Sequence, residues 1–138
     1  MGGRYTLAPM AVLADVMRTD FLVVAPEDTL GEVAQKMVDE HKGGAVLVKD
    51  FGRLIGILTE RDLLKAIAGR VHTSSARVRE WMTPEPITVA PSVDLEEAQR
   101  IMLDQGFRHL PVLDGDRLVG IVSLRRVVGA MQAQTESA

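Results

Sequence analysis

The sequence predicts an α/β protein of the α+β kind, built from two tandem β-α-β-β-α repeats. Three observations support this prediction. The chain has 138 residues, within the range of one domain, with 46% hydrophobic but only 4% aromatic residues. Short apolar runs alternate with longer segments in which apolar residues recur at helical spacing. The second half of the chain also repeats the first half in the same order.

The repeat is visible as collinear matches. With an offset of 65 residues, Met17 falls on Met82 and Val24-Ala25-Pro26 on Val89-Ala90-Pro91. Further along, Gly56-Ile57 falls on Gly120-Ile121 with an offset of 64. We therefore predict a one-residue deletion in the hairpin loops at 49–52 and 114–116, because loop tips tolerate length changes. Matches in this order argue against chance similarity.

The first repeat contains clear start and stop signals. Pro26 closes the first strand because it cannot donate to a ladder. Thr29 followed by Glu32 predicts a helix start with a capping box, and Gly69 ends the second helix. The predicted elements are a lead-in helix at 12–17, a strand at 22–24, a helix at 30–40, strands at 45–48 and 53–58, and a helix at 60–68.

The second repeat follows the same pattern. Its predicted elements are a lead-in at 78–82, a strand at 87–89, a helix at 95–105, strands at 110–113 and 117–122, and a helix from 124 to about 132. The chain then divides into a flexible arm (1–11), repeat 1 (12–69), a linker (70–80), repeat 2 (81–132) and a tail (133–138). One repeat alone buries too little surface to be stable. We therefore expect the two sheets to pack face to face about a pseudo-twofold axis as one globular unit, leaving clefts between the repeats for a small ligand.

Composition excludes several function classes. The formal net charge of −3 argues against nucleic-acid binding driven by bulk positive charge and leaves only a local basic patch open, and the absence of cysteine excludes disulfides. No signal peptide or membrane-spanning run is found, so we expect a cytoplasmic protein. Three scattered histidines do not predict a metal site. No nucleophile is paired with a base, so we expect no enzyme activity; slow hydrolysis abolished by Ser123→Ala would contradict that.

The segment from Gly56 to Asp62 carries the main functional candidate. It runs from an apolar strand into a helix, and Thr59 and Asp62 lie at the junction. Taken alone, Thr-x-x-Asp is more often a capping box than a ligand site. The two roles are compatible, because a carboxylate has several acceptor positions for sugar hydroxyls and the helix start offers N–H groups to a phosphate. The second copy keeps a hydroxyl at Ser123 but has Arg126 in place of the aspartate.

Over residues 12–132 the chain resembles a CBS-domain pair, also called a Bateman module. The features that carry the resemblance are Met17 and Met82, the segments Ile87–Pro91 and Arg108–Val112, and the two Gly-Ile-x-Thr/Ser segments that begin at residues 56 and 120. These motifs are weak singly, but occurring twice in this order they are specific for the fold.

The resemblance implies regulatory binding of an adenosine derivative such as AMP, ADP, ATP or S-adenosylmethionine, with no required cofactor. Gly56, Thr59 and Asp62 match the family's ribose-binding pattern. The resemblance also implies that Arg108 and His109 face the phosphates of the ligand held by the first repeat. We expect the first site to be competent and the second to be weak, empty or altered.

The arginines support a phosphate partner. Arg61, Arg125 and Arg126 lie in the first turns of their helices, where the helix dipole disfavours cations unless an anion is nearby. A bound phosphate would be such an anion. The alternative is that these side chains extend into solvent or pair with Glu60. The full expected ligand site is Thr59, Asp62, Arg108, His109, Arg125 and the apolar residues Leu22, Val23, Ala45 and Ile57, which are otherwise plain core residues. The expected second, weaker site is Ser123, Arg61, Arg126 and Thr88.

The sequence also predicts that the chain forms a homodimer. The segments 63–67 and 127–131 of the second helices are apolar over more than one face, which favours burial against a second copy. The resemblance likewise implies a disc-like homodimer, and a protein target remains unidentified. The alternative function is a structural dimer that binds no nucleotide.

Overall fold

The structure is a computed structural model that describes the backbone of residues 11–137 and the side chains of residues 11–134. Residues 1–10 of the predicted arm and Ala138 of the predicted tail lie outside the described residues. The predicted α+β class is confirmed. The elements are α1 (Leu13–Val16), β1 (Val23–Val24), α2 (Leu30–Asp39), β2 (Ala45–Asp50), β3 (Arg53–Thr59), α3 (Glu60–Ala68), α4 (Val78–Trp81), β4 (Thr83–Pro84), α5 (Leu95–Gln105), β5 (His109–Asp114), β6 (Arg117–Ser123) and α6 (Leu124–Ser137).

The chain forms two compact units whose limits cross the repeat boundary. We call residues 20–86 the first unit, and the described residues 11–19 together with 87–137 the second unit. The lead-in α1 therefore belongs to the unit of the second repeat, whereas the lead-in α4 belongs to the unit of the first. Each repeat is completed by a lead-in segment that precedes the other repeat in sequence.

The first unit contains a four-stranded sheet in the order β1-β2-β3-β4. β1 is parallel to β2, with Val23 opposite Leu47, and the other pairs are antiparallel. The edge strand β4 was not predicted from sequence, because two residues that include a proline carry no periodicity. It forms where Thr83 and Pro84 pair with Ile57 and Gly56.

The second unit contains the antiparallel pair β5-β6. Two single bridges extend this pair: Val89 lies parallel to Val112, and Arg18 lies antiparallel to Ile121. The strand predicted at 87–89 is thus reduced to one bridge. Arg18 takes the edge position that β4 takes in the first unit.

Helix limits follow the predicted caps closely. Thr29 accepts from the Glu32 N–H at 3.1 Å, and Glu32 accepts from the Thr29 N–H at 3.1 Å, which confirms the capping box. Asp94 caps α5, and Gly106, with φ of 75°, ends it in the left-handed conformation that glycine adopts without strain. α6 continues to Ser137, past the predicted end near residue 132, because no glycine or proline interrupts its last turns.

The predicted position of the one-residue deletion is wrong. Both hairpins have two-residue loops, because Asp50 pairs with Arg53 and Asp114 with Arg117. The offset changes instead between the first helix and the second strand of each repeat, where the five residues 40–44 in the first repeat correspond to the four residues 105–108 in the second. The left-handed Gly106 makes the shorter connection, since it reverses the chain directly after the helix.

Each unit has its own hydrophobic core, made of branched aliphatic side chains from its helices and sheet. The core of the first unit includes Leu30, Val46, Leu58 and Val78, and that of the second includes Leu13, Leu95, Leu110 and Val127. Val78 and Leu13 are 0% exposed. The exchanged lead-ins are therefore part of these cores, and each contributes a side chain whose burial is worth about 1.5–3 kcal/mol.

Candidate functional site

The junction between β3 and α3 carries the predicted sugar-binding pair. The Asp62 N–H donates to Thr59 Oγ1 at 3.2 Å, and Asp62 Oδ2 accepts from the Thr59 N–H at 2.9 Å and from its hydroxyl at 3.0 Å. The capping interpretation is therefore confirmed. All the hydrogen bonds that the described residues make to this carboxylate use Oδ2, so Oδ1 keeps its acceptor capacity.

The helix start is less open to phosphate than the sequence suggested. The Glu60 N–H donates to the Gly44 carbonyl at 2.9 Å, and the Asp62 N–H is used by Thr59. Two of the first three N–H groups of α3 are thus engaged, and Glu60 and Asp62 both place carboxylates in the first turn. The expectation that this turn presents free donors to a phosphate is wrong for these two groups.

Glu60 has a structural role that sequence reasoning missed. Its Oε1 accepts from the Gly44 N–H at 2.7 Å, so the two residues exchange hydrogen bonds in both directions. A Cβ added at Gly43 would collide with the same Oε1. This contact ties the turn before β2 to the start of α3. The sequence carries no local signal for this contact, because the two residues are sixteen positions apart.

Gly56 is required by packing. A Cβ at this position would collide with Met82 Sδ and lie 3.1 Å from the Thr83 carbonyl oxygen. The glycine thus admits the exchanged segment that contains α4 and β4. The first residue of the ribose-binding pattern has this structural role whether or not a ligand binds.

The junction between β6 and α6 keeps the cap but not the carboxylate. Ser123 Oγ accepts from the Arg126 N–H at 3.2 Å, as Thr59 does in the first unit. The Arg126 guanidinium Nε donates to the Val16 carbonyl at 2.5 Å. Because Val16 is the last residue of α1, Arg126 holds the exchanged lead-in helix at its carbonyl end, where cations are favoured.

Gly120 repeats the role of Gly56. A Cβ there would lie 2.6 Å from Met17 Sδ and 3.0 Å from the Arg18 carbonyl oxygen. Met17 and Met82, which carried the sequence resemblance, therefore each cover the glycine of the opposite repeat. The two junctions share a glycine, a methionine and a hydroxyl cap, and they differ in the charge that follows.

The other predicted residues of the first unit lie around its junction. Ala45 lies opposite Thr59 across β2 and β3, and Ile57 lies two residues before Thr59 in β3. Leu22, Ala45 and Ile57 are buried, whereas Val23 is 37% exposed. Arg61 is exposed in the first turn of α3. Three of the four apolar residues are thus covered in the structure, and Val23 is the one whose side chain is exposed.

The cationic residues predicted for the first ligand site, Arg108, His109 and Arg125, lie in the second unit. His109 lies opposite Ser123, in the position that Ala45 has in the first unit. Arg108 is exposed and its carbonyl accepts from the Leu124 N–H at 2.8 Å. Arg125 and Thr88 are also exposed. Arginines and a histidine therefore surround this junction, whereas the first junction has two carboxylates.

The described part of the chain lacks two further features. Among its helices, none is long and apolar enough to cross a membrane. Within the same residues, no three histidine, aspartate or glutamate side chains are grouped so that they could hold a metal ion.

Comparison with known proteins extends these observations. A family model described as CBS domain matches the chain twice, over residues 13–69 and 78–133. The CBS domain-containing protein YhcV of Bacillus subtilis is 35% identical over 115 residues, which are 83% of this chain and 81% of that protein.

Solved structures agree with this match. The CBS-domain containing protein ATU1752 from Agrobacterium tumefaciens is 36% identical with a TM-score of 0.79, covering 88% of this chain and 99% of that one. CBSX2, solved in complex with AMP, is 29% identical with a TM-score of 0.73, covering 91% of this chain and 98% of that one.

Proposed function

We propose that this chain, which belongs to the CBS-domain family, is a regulatory module that binds an adenosine-containing ligand: AMP, ADP, ATP or S-adenosylmethionine. One observation carries the proposal. Asp62 closes a capping box with Oδ2 alone, which leaves Oδ1 for a ribose hydroxyl. A hydrogen bond to a charged acceptor contributes about 1.5–3 kcal/mol, enough for tenfold or greater selectivity. The AMP complex of CBSX2 supports the ligand class.

The proposal gives the other predicted residues distinct roles. Thr59 and Asp62 hold the sugar, and Arg108, His109 and Arg125 neutralise the charged end of the ligand. The adenine ring contacts the apolar surface formed by Leu22, Val23, Ala45 and Ile57. The second site, with Ser123, Arg61, Arg126 and Thr88, binds more weakly because Arg126 has no acceptor for a sugar hydroxyl.

Thermal melting and calorimetric titration with these four adenosine derivatives test this function. A ligand at 100 times its Kd should stabilise the chain by about 2.7 kcal/mol. Asp62→Asn should weaken binding about tenfold or more, which is a loss of at least about 1.4 kcal/mol. Ser123→Ala is the matched control, because it removes the equivalent cap in the other unit. If Asp62→Asn binds like the parent chain and Ser123→Ala loses binding, the ligand binds at the junction between β6 and α6 instead.

A structural role without a nucleotide is the second candidate. The observation that favours it is that all three residues of the ribose-binding pattern have packing or capping roles: Gly56 admits Met82, and Thr59 and Asp62 cap α3. On this alternative, none of the four adenosine derivatives shifts the melting temperature. A shift that Asp62→Asn abolishes excludes it.

Either function includes a homodimer formed through α3. Leu64 is 65% exposed and Ile67 is 61% exposed on this helix. Exposed apolar side chains on one helix indicate burial against another molecule. The double variant Leu64→Lys with Ile67→Lys should sediment as a monomer under conditions in which the parent chain is dimeric. Val38→Lys, on α2 and 68% exposed, is the control that should leave the dimer intact.

A further inference from the structure

The tip of the hairpin between β2 and β3 presents a bare aromatic side chain. Phe51 is 96% exposed. Phe51 and Gly52 are the two loop residues between the paired Asp50 and Arg53, with φ values of 51° and 77°. Positive φ at both central positions is the pattern of a type I′ turn, which favours Asn-Gly or Asp-Gly. A phenylalanine at the first position is therefore strained.

The second repeat has a glycine at the same turn position. There Gly115, with φ of 64°, occupies the position equivalent to Phe51 between the paired Asp114 and Arg117. A glycine adopts this conformation freely, whereas a left-handed non-glycine residue costs about 1–3 kcal/mol. Phe51 obtains no burial in return within its own chain. The strain and the exposure together indicate that its ring is buried by another molecule.

The same unit contains a shallow, open cavity beside an aromatic side chain. Its volume is about 470 Å³, and its lining combines the nonpolar residues Val71, Ala76 and Trp81 with the polar residues His72, Ser75 and Glu80. This size is within the range of pockets that hold small ligands or side-chain anchors. Trp81 offers an aromatic partner, and pairs of aromatic rings gain about 0.5–1.5 kcal/mol beyond burial.

Charge also matches between the hairpin and the cavity. Arg53 is exposed directly after the tip, and Glu80 is exposed at the cavity. The acidic residue before the tip, Asp50, is already paired with Arg79 at 3.6 Å. Glu80 Oε1 accepts from the Arg77 N–H at 2.8 Å, and the neighbouring Arg79 is paired with Glu27 and Asp50. The hairpin therefore presents an aromatic ring with a positive neighbour, and the cavity presents an aromatic wall beside the second oxygen of the Glu80 carboxylate.

We propose that Phe51 of one chain inserts into the Trp81 cavity of a second copy, with Arg53 facing Glu80. This contact involves neither the α3 surface nor the adenosine site. It uses features that the second repeat does not share, because Gly115 provides no ring. If the contact is head to tail, it links chains into rings or longer assemblies; if it is reciprocal, it closes a pair.

Association and the fluorescence of Trp81, the only tryptophan in the chain, test this contact. We expect the wild-type chain to associate beyond the α3 dimer with rising concentration in sedimentation velocity, with a parallel shift of Trp81 emission to shorter wavelength. Phe51→Asn should weaken this association about tenfold or more, as expected for a buried aromatic anchor. The variant creates the favoured Asn-Gly turn, so its melting temperature should stay equal or rise.

Two further variants make the test decisive. Ser75→Phe fills the cavity and should abolish the same association while Phe51 is intact. A mixture of Phe51→Asn with Ser75→Phe should recover a heterologous contact, because one variant keeps the cavity and the other keeps the ring. Val38→Ser should have no effect. The proposal is overturned if Phe51→Asn associates like the wild type, or if the Trp81 shift persists in Phe51→Asn.

Discussion

The two strand-to-helix junctions are built alike but end in opposite charges. In the first unit Thr59 caps α3, and Asp62 returns a carboxylate to the cap. In the second unit Ser123 caps α6, but Arg126 turns its guanidinium to the Val16 carbonyl. The hydroxyl alone therefore satisfies the helix start. Capping accounts for Thr59 and Ser123, and it does not by itself require the acid at Asp62.

The same comparison shows that the glycine at each junction is needed for packing. Gly56 and Gly120 each admit a methionine and a backbone carbonyl from the exchanged lead-in segment. Because these contacts are present at both junctions, they cannot determine which junction binds a ligand. The difference between Asp62 and Arg126 is the feature that can determine which junction binds a ligand.

The largest effect is expected from filling the space at the glycines. Gly56→Ala and Gly120→Ala should each lower the free energy of unfolding by about 1–3 kcal/mol, as overpacking does. The methionine ends can move, but the Thr83 and Arg18 carbonyl oxygens, at 3.1 and 3.0 Å from the added Cβ, are fixed by strand pairing. Urea unfolding measures both variants.

Gly129→Ala is the control for these two substitutions. Gly129 lies inside α6, and a Cβ there meets nothing within 4 Å. Alanine should therefore stabilise the chain by about 0.5–1 kcal/mol through helix propensity. Equal stability of Gly56→Ala and the parent chain would show that the lead-in can withdraw from that junction without cost.

The next effect is a change in ligand binding when the second junction receives the acid of the first. Arg126→Asp should raise the adenosine affinity of the second site by about tenfold, or about 1.4 kcal/mol. Calorimetric stoichiometry should then rise from one ligand per chain towards two. Arg126→Ala is the matched control, because it removes the bond to Val16 without adding a carboxylate. If both variants behave alike, the acid is not the difference that matters.

Much of the fold was predictable because its signals are local. The capping box at Thr29 and the stop at Gly69 lie within a few residues of the helix ends that they determine. The exchange of lead-ins was not predictable, since a repeat offset does not indicate which sheet edge Arg18 or Thr83 joins. The length change was misplaced for a related reason: only strand register shows that both hairpins have equal loops.

The candidate site divides in the same way. Thr59 and Asp62 were found because their spacing is short, and the family resemblance was confirmed by the match over both repeats. The contact of Glu60 with Gly44 spans sixteen residues, and that of Arg126 with Val16 spans 110. No periodic pattern encodes such pairs, so their roles emerged only from the structure.

A smaller loss of stability is expected when the N-caps of α2 and α5 are removed. Thr29 caps α2 and Asp94 caps α5, each accepting from an N–H three residues on, at 3.1 and 2.8 Å. Thr29→Ala and Asp94→Ala should each cost about 1 kcal/mol in urea unfolding. Thr29→Ser and Asp94→Asn keep an acceptor and should cost little. If Thr29→Ser loses as much unfolding free energy as Thr29→Ala, the threonine methyl group and not the cap accounts for the effect.

The smallest predicted effect is a dependence of the α2 cap on pH. The Thr29 hydroxyl donates to Glu32 Oε1 at 2.8 Å and its N–H donates at 3.1 Å, and these bonds hold the pKa of Glu32 below its ordinary value. Because they favour the ionised carboxylate, their stabilisation is present above the unfolded pKa of about 4.3 and is lost as pH falls through the lowered folded pKa. Glu32→Gln should therefore lower Tm at neutral pH and have a smaller effect in acid. In a Thr29→Ala background the difference between the two pH values should shrink, because the main donor is gone; an undiminished difference would assign it to another group.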